Sequence, residues 1–311
     1  MPDDDLLDDL LSMDMDTELA EYTLDEIQLL ERNIAQALRN ETRFINTSLA
    51  QYTALGAFAL DWPKIARADN VDRMIRQAAY ESFRKNMHRF VEAHIRKLDN
   101  GLSVPRLSKR TVSWAHEWSE ELGRIMKLNS HTALEKLLAE NLRDGKGVAH
   151  FARQLMDEGI RDTYVRAKRV AQTEMLRAHA VAQQEAIIQN PAVDNKEWVH
   201  TGAHKNKPRE NHMDIDGQIV PKDQPFKLKG ADGGDHAPMY PRDTDLPPCE
   251  SINCKCTHRG IPNDDVLGLS LEERKKLQAQ AIAEDDGKWE KELDRNNMMR
   301  DREEYLRNNP Q

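Results

Sequence analysis

The chain has 311 residues, of which 39% are apolar, 32% charged and only 5% aromatic, and it carries a formal net charge of -9 at pH 7. That length leaves room for two domains of ordinary size, while the longest apolar runs are far too short to cross a bilayer. An odd count of three cysteines, with no N-terminal basic flank, apolar run and small-residue cleavage site, excludes a secreted disulfide scaffold and predicts a soluble protein made inside the cell.

Residues 1–16, MPDDDLLDDLLSMDMD, carry seven aspartates and no basic residue. Such a composition predicts a flexible acidic tail, although Leu6, Leu7, Leu10 and Leu11 would make one apolar stripe if the segment folded as a helix on a basic partner. Residues 17–130 read as helical. Thr23 with Glu26 three residues on resembles a capping box, followed by Leu24, Ile27, Leu30, Ile34 and Leu38 at helical spacing. A second stripe runs through Val71, Ile75, Met87, Phe90, Val91, His94, Ile95 and Leu98, with His94 expected as a satisfied core or boundary histidine. Asn100-Gly101 ends that helix, and two further helices are expected over about 108–128 and 130–142.

Between Lys64 and Arg110 there are 12 Lys and Arg against five Asp and Glu, a local charge of +7 in an acidic protein. A solvated helix face accounts for such a run; so does contact with double-stranded DNA or an acidic subunit, since clustered cations supply the salt-sensitive part of DNA affinity. The turn Asp144-Gly145-Lys146-Gly147 lacks the flanking strand and GK[ST] ending of a phosphate loop and reads as a helix stop. Tyr164–Ile187 is the most regular helix, free of Gly and Pro, with Val165, Ala167, Val170, Ala171, Glu174, Ala178, Val181 and Ala182 as a narrow stripe for close packing. Thr173 and Glu174 sit against that stripe. A buried Glu174 needs a partner, and Arg169 or Arg177 is placed to supply it.

After Asn190-Pro191 the texture changes. Residues 197–200 and 218–220 read as short strands with Asp216-Gly217 as a turn, and residues 223–248 as Gly- and Pro-rich loop. All three cysteines then fall inside CESINCKCT, residues 249–257. Cys249, Cys254 and Cys256 with His212 as fourth ligand would make a closed zinc site, the other nearby histidines being His200, His204 and His258. The usual C-x2-C pair is missing, so a second reading stands beside it: Cys254 and Cys256, two apart, share one face of a short strand and pack as small apolar groups. A cysteine nucleophile using His212 and Asp214 is a third and weaker arrangement, because a second thiol two residues away complicates the chemistry. Residues 263–311 return to charged helix, expected over 267–282 and 288–306.

In chain order, LRDGKGVAHFARQL, RAKRVAQTEMLRAHAVAQ, KEWVHTGAHKNKPRENH, DGQIVPKDQPF and YPRDTDLPPCESINCKCT resemble the motif series of the phage Mu F-like head morphogenesis (minor capsid) family over roughly residues 140–262. The positions that match are Arg169, Thr173, Glu174, Trp198, Arg209, His212, Gly217, Glu250, Asn253, Cys254 and Cys256; Gln172 and Lys255 stand where the family often has Arg. The resemblance implies a non-enzymatic virion protein associated with the portal protein and other head proteins, acting in assembly and in DNA packaging or ejection. The competing expectation is a nucleic-acid-binding or nuclease-like protein in which His212, Arg209 and Glu250 act on a phosphate. The fold expected is α+β and mainly helical. A helical region over 17–130 precedes a small loop-rich domain over 131–262 that holds one long helix and short β-hairpins.

Overall fold

A computed structural model describes residues 4–157, 163–202 and 208–308. Seven helices come first: α1 (Asp4–Ser12), α2 (Thr17–Leu49), α3 (Leu55–Ala68), α4 (Val71–Leu98), α5 (Lys109–Arg143), α6 (Val148–Asp157) and α7 (Thr163–Gln189). Strand β1 (Val193–Val199) follows, then α8 (Glu210–Asp214), β2 (Ile219–Pro221), β3 (Leu228–Lys229), β4 (Asp235–His236), α9 (Pro248–Ser251), β5 (Thr257–Pro262), α10 (Asp264–Leu267) and α11 (Leu271–Asn308). The fold is thus mainly helical α+β. Among the described residues no helix is long and apolar enough to cross a membrane.

The largest apolar core joins α1, α2, α4, α5 and α7, and a second cluster gathers the end of α2, α3, the later half of α5 and α6. Helix α7 runs through the middle. Residues 173–187 are buried on every side, where the sequence predicts a single stripe. A helix enclosed by neighbours needs no polar face, provided its polar side chains find partners. Glu185 shows how: its carboxylate accepts from Ser108 N, Ser108 Oγ, Thr111 Oγ1 and Gln189 Nε2, each at 2.7 Å, and so ties α7 to the start of α5. His94 packs as expected, with its Nε2 2.9 Å from Nε2 of His179 on α7.

Several boundaries differ from the sequence reading. The acidic segment is not a free tail: α1 buries Leu6 and Leu10, Met13 and Met15 follow it into the core, and Asp9 pairs with Lys255 at 3.5 Å. The next helix starts before Thr23, because Asp16 caps it by accepting from Leu19 N at 2.8 Å; Thr23 Oγ1 instead donates to Leu19 O inside the helix. Helix α5 continues through Asn129-Ser130, where Ser130 Oγ donates to Glu41 and accepts from Arg166. Tertiary bonds there override a weak local propensity. Helix α11 likewise passes through Gly287.

The sheet is antiparallel in the order β2-β1-β5, and β3 pairs with β4. Glu197 faces Ile219 across β1 and β2, and Trp198 lies opposite His258 across β1 and β5. Gly217 has φ +76°, which lets the chain reverse into β2 while Gly217 N donates to Trp198 O at 2.9 Å.

Candidate metal centre

The cysteine run folds as a tight reversal. Cys249 to Ser251 lie in the single turn α9, and Asn253 then takes φ +58°. Asn tolerates that left-handed region better than most residues, and it turns the chain back toward the sheet. Cys254, Lys255 and Cys256 follow as irregular chain, with β5 beginning only at Thr257. The expected short strand carrying both thiols therefore begins after them. Both sulfurs are nonetheless buried, against Trp198 and Phe226. The Trp198 ring stands edge-on to Phe226 at 5.3 Å and to His212 at 5.7 Å.

Helix α8 aims His212 into this cluster. Its Nδ1 lies 3.5 Å from Cys254 Sγ and 3.5 Å from Cys256 Sγ, while Nε2 lies 2.7 Å from Glu250 Oε2. The imidazole is 1% exposed and Glu250 is fully buried. Glu250 also accepts from Ala231 N at 2.6 Å and from Asn211 Nδ2 at 3.1 Å. These donors outweigh the burial that would raise the carboxyl, and its pKa is lowered. Burial opposes charge on His212 as well, but Cys254 and Glu250 prevail and raise its pKa. Within the thiol pair, Cys256 together with His212 and Arg242 lowers Cys254 far below the ordinary thiol value, and Cys254 with burial raises Cys256. One negative charge is thus favoured at Cys254.

Arg242 supports the loop from beneath. Its Nη1 donates to Cys254 O at 3.0 Å and to Cys256 O at 2.7 Å, and its own carbonyl accepts from Arg177 Nη1. Arg177 Nε in turn donates to Glu174 Oε2 at 3.0 Å, and Trp118 Nε1 donates to the same oxygen. A chain of buried polar contacts therefore runs from α5 through the Thr-Glu segment of α7 to the two cysteines. Arg177, not Arg169, partners Glu174. Arg169 is exposed and lines a cavity of about 670 Å³ with Thr173, Leu122, Met126, Leu246 and Ile252.

The other sequence candidates separate cleanly. Cys249 is exposed and stands outside the group formed by His212, Cys254 and Cys256, because the turn α9 carries it to the surface. His200 is half-buried at the end of β1, with Nδ1 3.5 Å from Cys256 Sγ. His258 is buried beside Phe226 and Tyr240, and neither ring nitrogen has a hydrogen-bond partner. His204 lies outside the described residues. Asp214 is exposed and does not orient His212; Glu250 does. Arg209 donates to Ile252 O at 2.6 Å, clamping α8 to the end of α9. Sequence reasoning missed Arg242, whose only local signal is its place in the YPRD turn, and Lys196, buried with Nζ donating to Met239 O at 2.7 Å and to Gln184 Oε1 at 3.1 Å.

A family model described as phage Mu protein F like protein matches residues 132–259. The chain is 33% identical over 215 residues to a Bacillus subtilis (strain 168) protein named "Uncharacterized protein YqbB", the match covering 69% of each. It is 27% identical over 188 residues to the NAD(+)--arginine ADP-ribosyltransferase EFV of Enterococcus faecalis (strain ATCC 700802 / V583), covering 60% of this chain and 34% of that protein. No solved structure matches.

Proposed function

Because the chain belongs to the phage Mu protein F-like family, we propose that it is a minor structural protein of a phage head, seated at the portal or on the head interior, that acts in head morphogenesis and is not an enzyme. The observation that supports this reading is how the matched region uses its polar residues. Glu174, Arg177, Arg209, His212, Arg242 and Glu250 are bound to one another or to backbone carbonyls and fix the cysteine loop against α7. A nuclease needs a base and a cation that reach a phosphate. His212 and Glu250 are buried, and Arg209 is committed to Ile252 O. The transferase activity named for EFV belongs to a protein of which the match spans only 34%.

The basic stretch from Lys64 to Arg110 speaks against a wide DNA-coating face. Eight of its twelve cations form ion pairs inside the chain, among them Arg76 with Glu120, Lys85 with Glu26, Arg89 with Glu18 and Arg106 with Asp286. What remains is suited to a protein surface or to limited contact with packaged DNA. The test is the protein content of purified phage heads assembled with and without portal protein. The expected result is a few copies per head that disappear when portal is omitted; equal incorporation into portal-free heads would refute the portal placement.

A further inference from the structure

The geometry points to a zinc site formed by His212 Nδ1, Cys254 Sγ and Cys256 Sγ, with His200 as fourth ligand in place of the exposed Cys249. Three observations carry it. First, the three donor atoms converge, all lying within 4.8 Å of one another and buried. A tetrahedral zinc ion with Zn–S of about 2.3 Å and Zn–N of about 2.0 Å sets an N to S separation of about 3.5 Å. Both His212 to sulfur distances are 3.5 Å.

Second, the imidazole is oriented as a ligand. Nε2–H donates to Glu250 Oε2 at 2.7 Å, so Nδ1 is the ring nitrogen that faces the two sulfurs. A carboxylate behind a histidine is the usual outer support of a zinc-bound imidazole, fixing its tautomer and ring angle. Glu250 is itself held by Ala231 N and Asn211, so the support is rigid. Third, both sulfurs converge on the same ring nitrogen, so one cation at the common point would satisfy the imidazole and both thiolates together.

The softness of two thiolates and an imidazole selects zinc over magnesium or calcium. His200 Nδ1 is 3.5 Å from Cys256 Sγ, the same edge length as the other two. It follows β1 directly but stands outside the group whose donors all lie within 4.8 Å of one another, so it completes the tetrahedron only once its ring turns toward Cys254 and His212. Arg242, bonded to the carbonyls of Cys254 and Cys256, places a cation beside the thiolates and holds their backbone. The ion would join β1, α8 and the reversal before β5, a loop-rich region whose apolar cluster is small. Binding energy there is folding energy. The site is independent of the head-assembly reading.

Full-length protein purified without chelator is assayed for metal by elemental analysis, with Cys254→Ser, His212→Ala, His200→Ala and Cys249→Ser alongside. The expected result is about one zinc per chain in the parent and in Cys249→Ser, loss of nearly all of it in Cys254→Ser and His212→Ala, and weakened retention in His200→Ala. Since the first two variants could fail to fold, the parent is also stripped by chelator and refilled with Co(II). The intense visible bands and thiolate charge-transfer absorption of a tetrahedral cobalt thiolate site are expected, lost again on adding zinc. A folded parent with no zinc, no cobalt spectrum and no thermal shift on adding zinc overturns the proposal. So does rapid alkylation of Cys254 that zinc does not block, which would mark a reactive thiolate instead. Full retention in His200→Ala with loss in Cys249→Ser overturns the choice of fourth ligand.

Discussion

The same substitution, glycine to alanine, should act in opposite directions at two helical positions of this protein. Gly123 lies inside α5 where that helix crosses the start of α4. A Cβ built there would meet the carbonyl oxygen of Asp72 at 2.4 Å and its carbon at 3.2 Å. The obstacle is backbone, so no side-chain rotation relieves it, and the two helices must part by roughly 1 Å to regain ordinary contact. Overpacking of this kind costs about 1–3 kcal/mol. With the obstructing atom fixed in α4, the upper end applies. Helix propensity returns about 1 kcal/mol, leaving Gly123→Ala less stable by about 2 kcal/mol. A methyl group added to Gly287 in α11 would meet nothing within 4 Å, and that residue has no left-handed φ, so Gly287→Ala keeps only the propensity gain of about 0.5–1 kcal/mol. Equilibrium urea unfolding, comparing midpoints at a shared slope, reads both. A Gly123→Ala variant as stable as the parent would refute the close crossing of α4 and α5, whatever Gly287→Ala does.

Glu41 is 2% exposed, and burial, with Asp69 nearby, pushes its pKa from 4.5 up to about 8. A folded pKa above the unfolded one means that the stability of the protonated form is complete below about 4.5 and is lost as pH rises toward 8. Glu41→Gln removes that loss, so the variant should gain on the parent with rising pH, by on the order of 3 kcal/mol at pH 7 and by little near pH 4.5; a stability difference that is the same at pH 5 and pH 8 would contradict the buried neutral carboxyl. The neighbouring pair Thr173 and Glu174 should respond unequally. Thr173 Oγ1 is buried with no hydrogen-bond partner, so Thr173→Val is expected within about 1 kcal/mol of the parent, on the stabilising side. Glu174→Ala strands the buried Arg177 and the Trp118 indole N–H and should cost about 3–5 kcal/mol. Thermal unfolding of the two variants gives the order, and equal losses would show that Thr173 holds the network too.

Helices with a long apolar period were legible in the sequence because periodicity reports burial directly: α2, α4 and α7 fall where Ile27, Leu30 and Ile34, then Ile75, Phe90 and Ile95, then Ala171 and Ala178 place them. Their ends were less legible. Asn129-Ser130 and Gly287 look like breaks, yet Ser130 is held between Glu41 and Arg166, and the helix around Gly287 is fixed by Asp285 and Asp286 pairing with Arg110 and Arg106. These are contacts between residues far apart in sequence, and no local window contains them. The cysteine site shows the same division. His212, Cys254 and Cys256 could be named together because their chemistry is rare in this chain. Cys249 could not be excluded from sequence, since its exposure depends on the single turn α9. The roles of Glu250 behind His212 and Arg242 beneath the loop exist only once β1 and β5 pair.

Charge misled for a related reason. Counted along the chain, Lys64 to Arg110 carries +7 and suggests a solvated face or an anionic partner, while residues 1–16 are acidic and the C-terminal helix is charged with both signs, which suggests solvated tails. In three dimensions these are halves of one arrangement. Asp14, Glu18 and Glu26 meet Lys97, Arg89 and Lys85 on one side, and Asp285, Asp286, Glu290 and Glu292 meet Arg110, Arg106 and Lys109 on the other. Each exposed pair adds little stability, with a median of about 0–1 kcal/mol. Their joint effect is on orientation: the pairs favour the arrangement in which the start of α2 and α11 lie along the basic stretch. Asp9 extends this to the cysteine loop, where it meets Lys255 between the two thiols. The acidic N-terminal helix therefore reaches, through Asp9, the loop that the zinc proposal concerns.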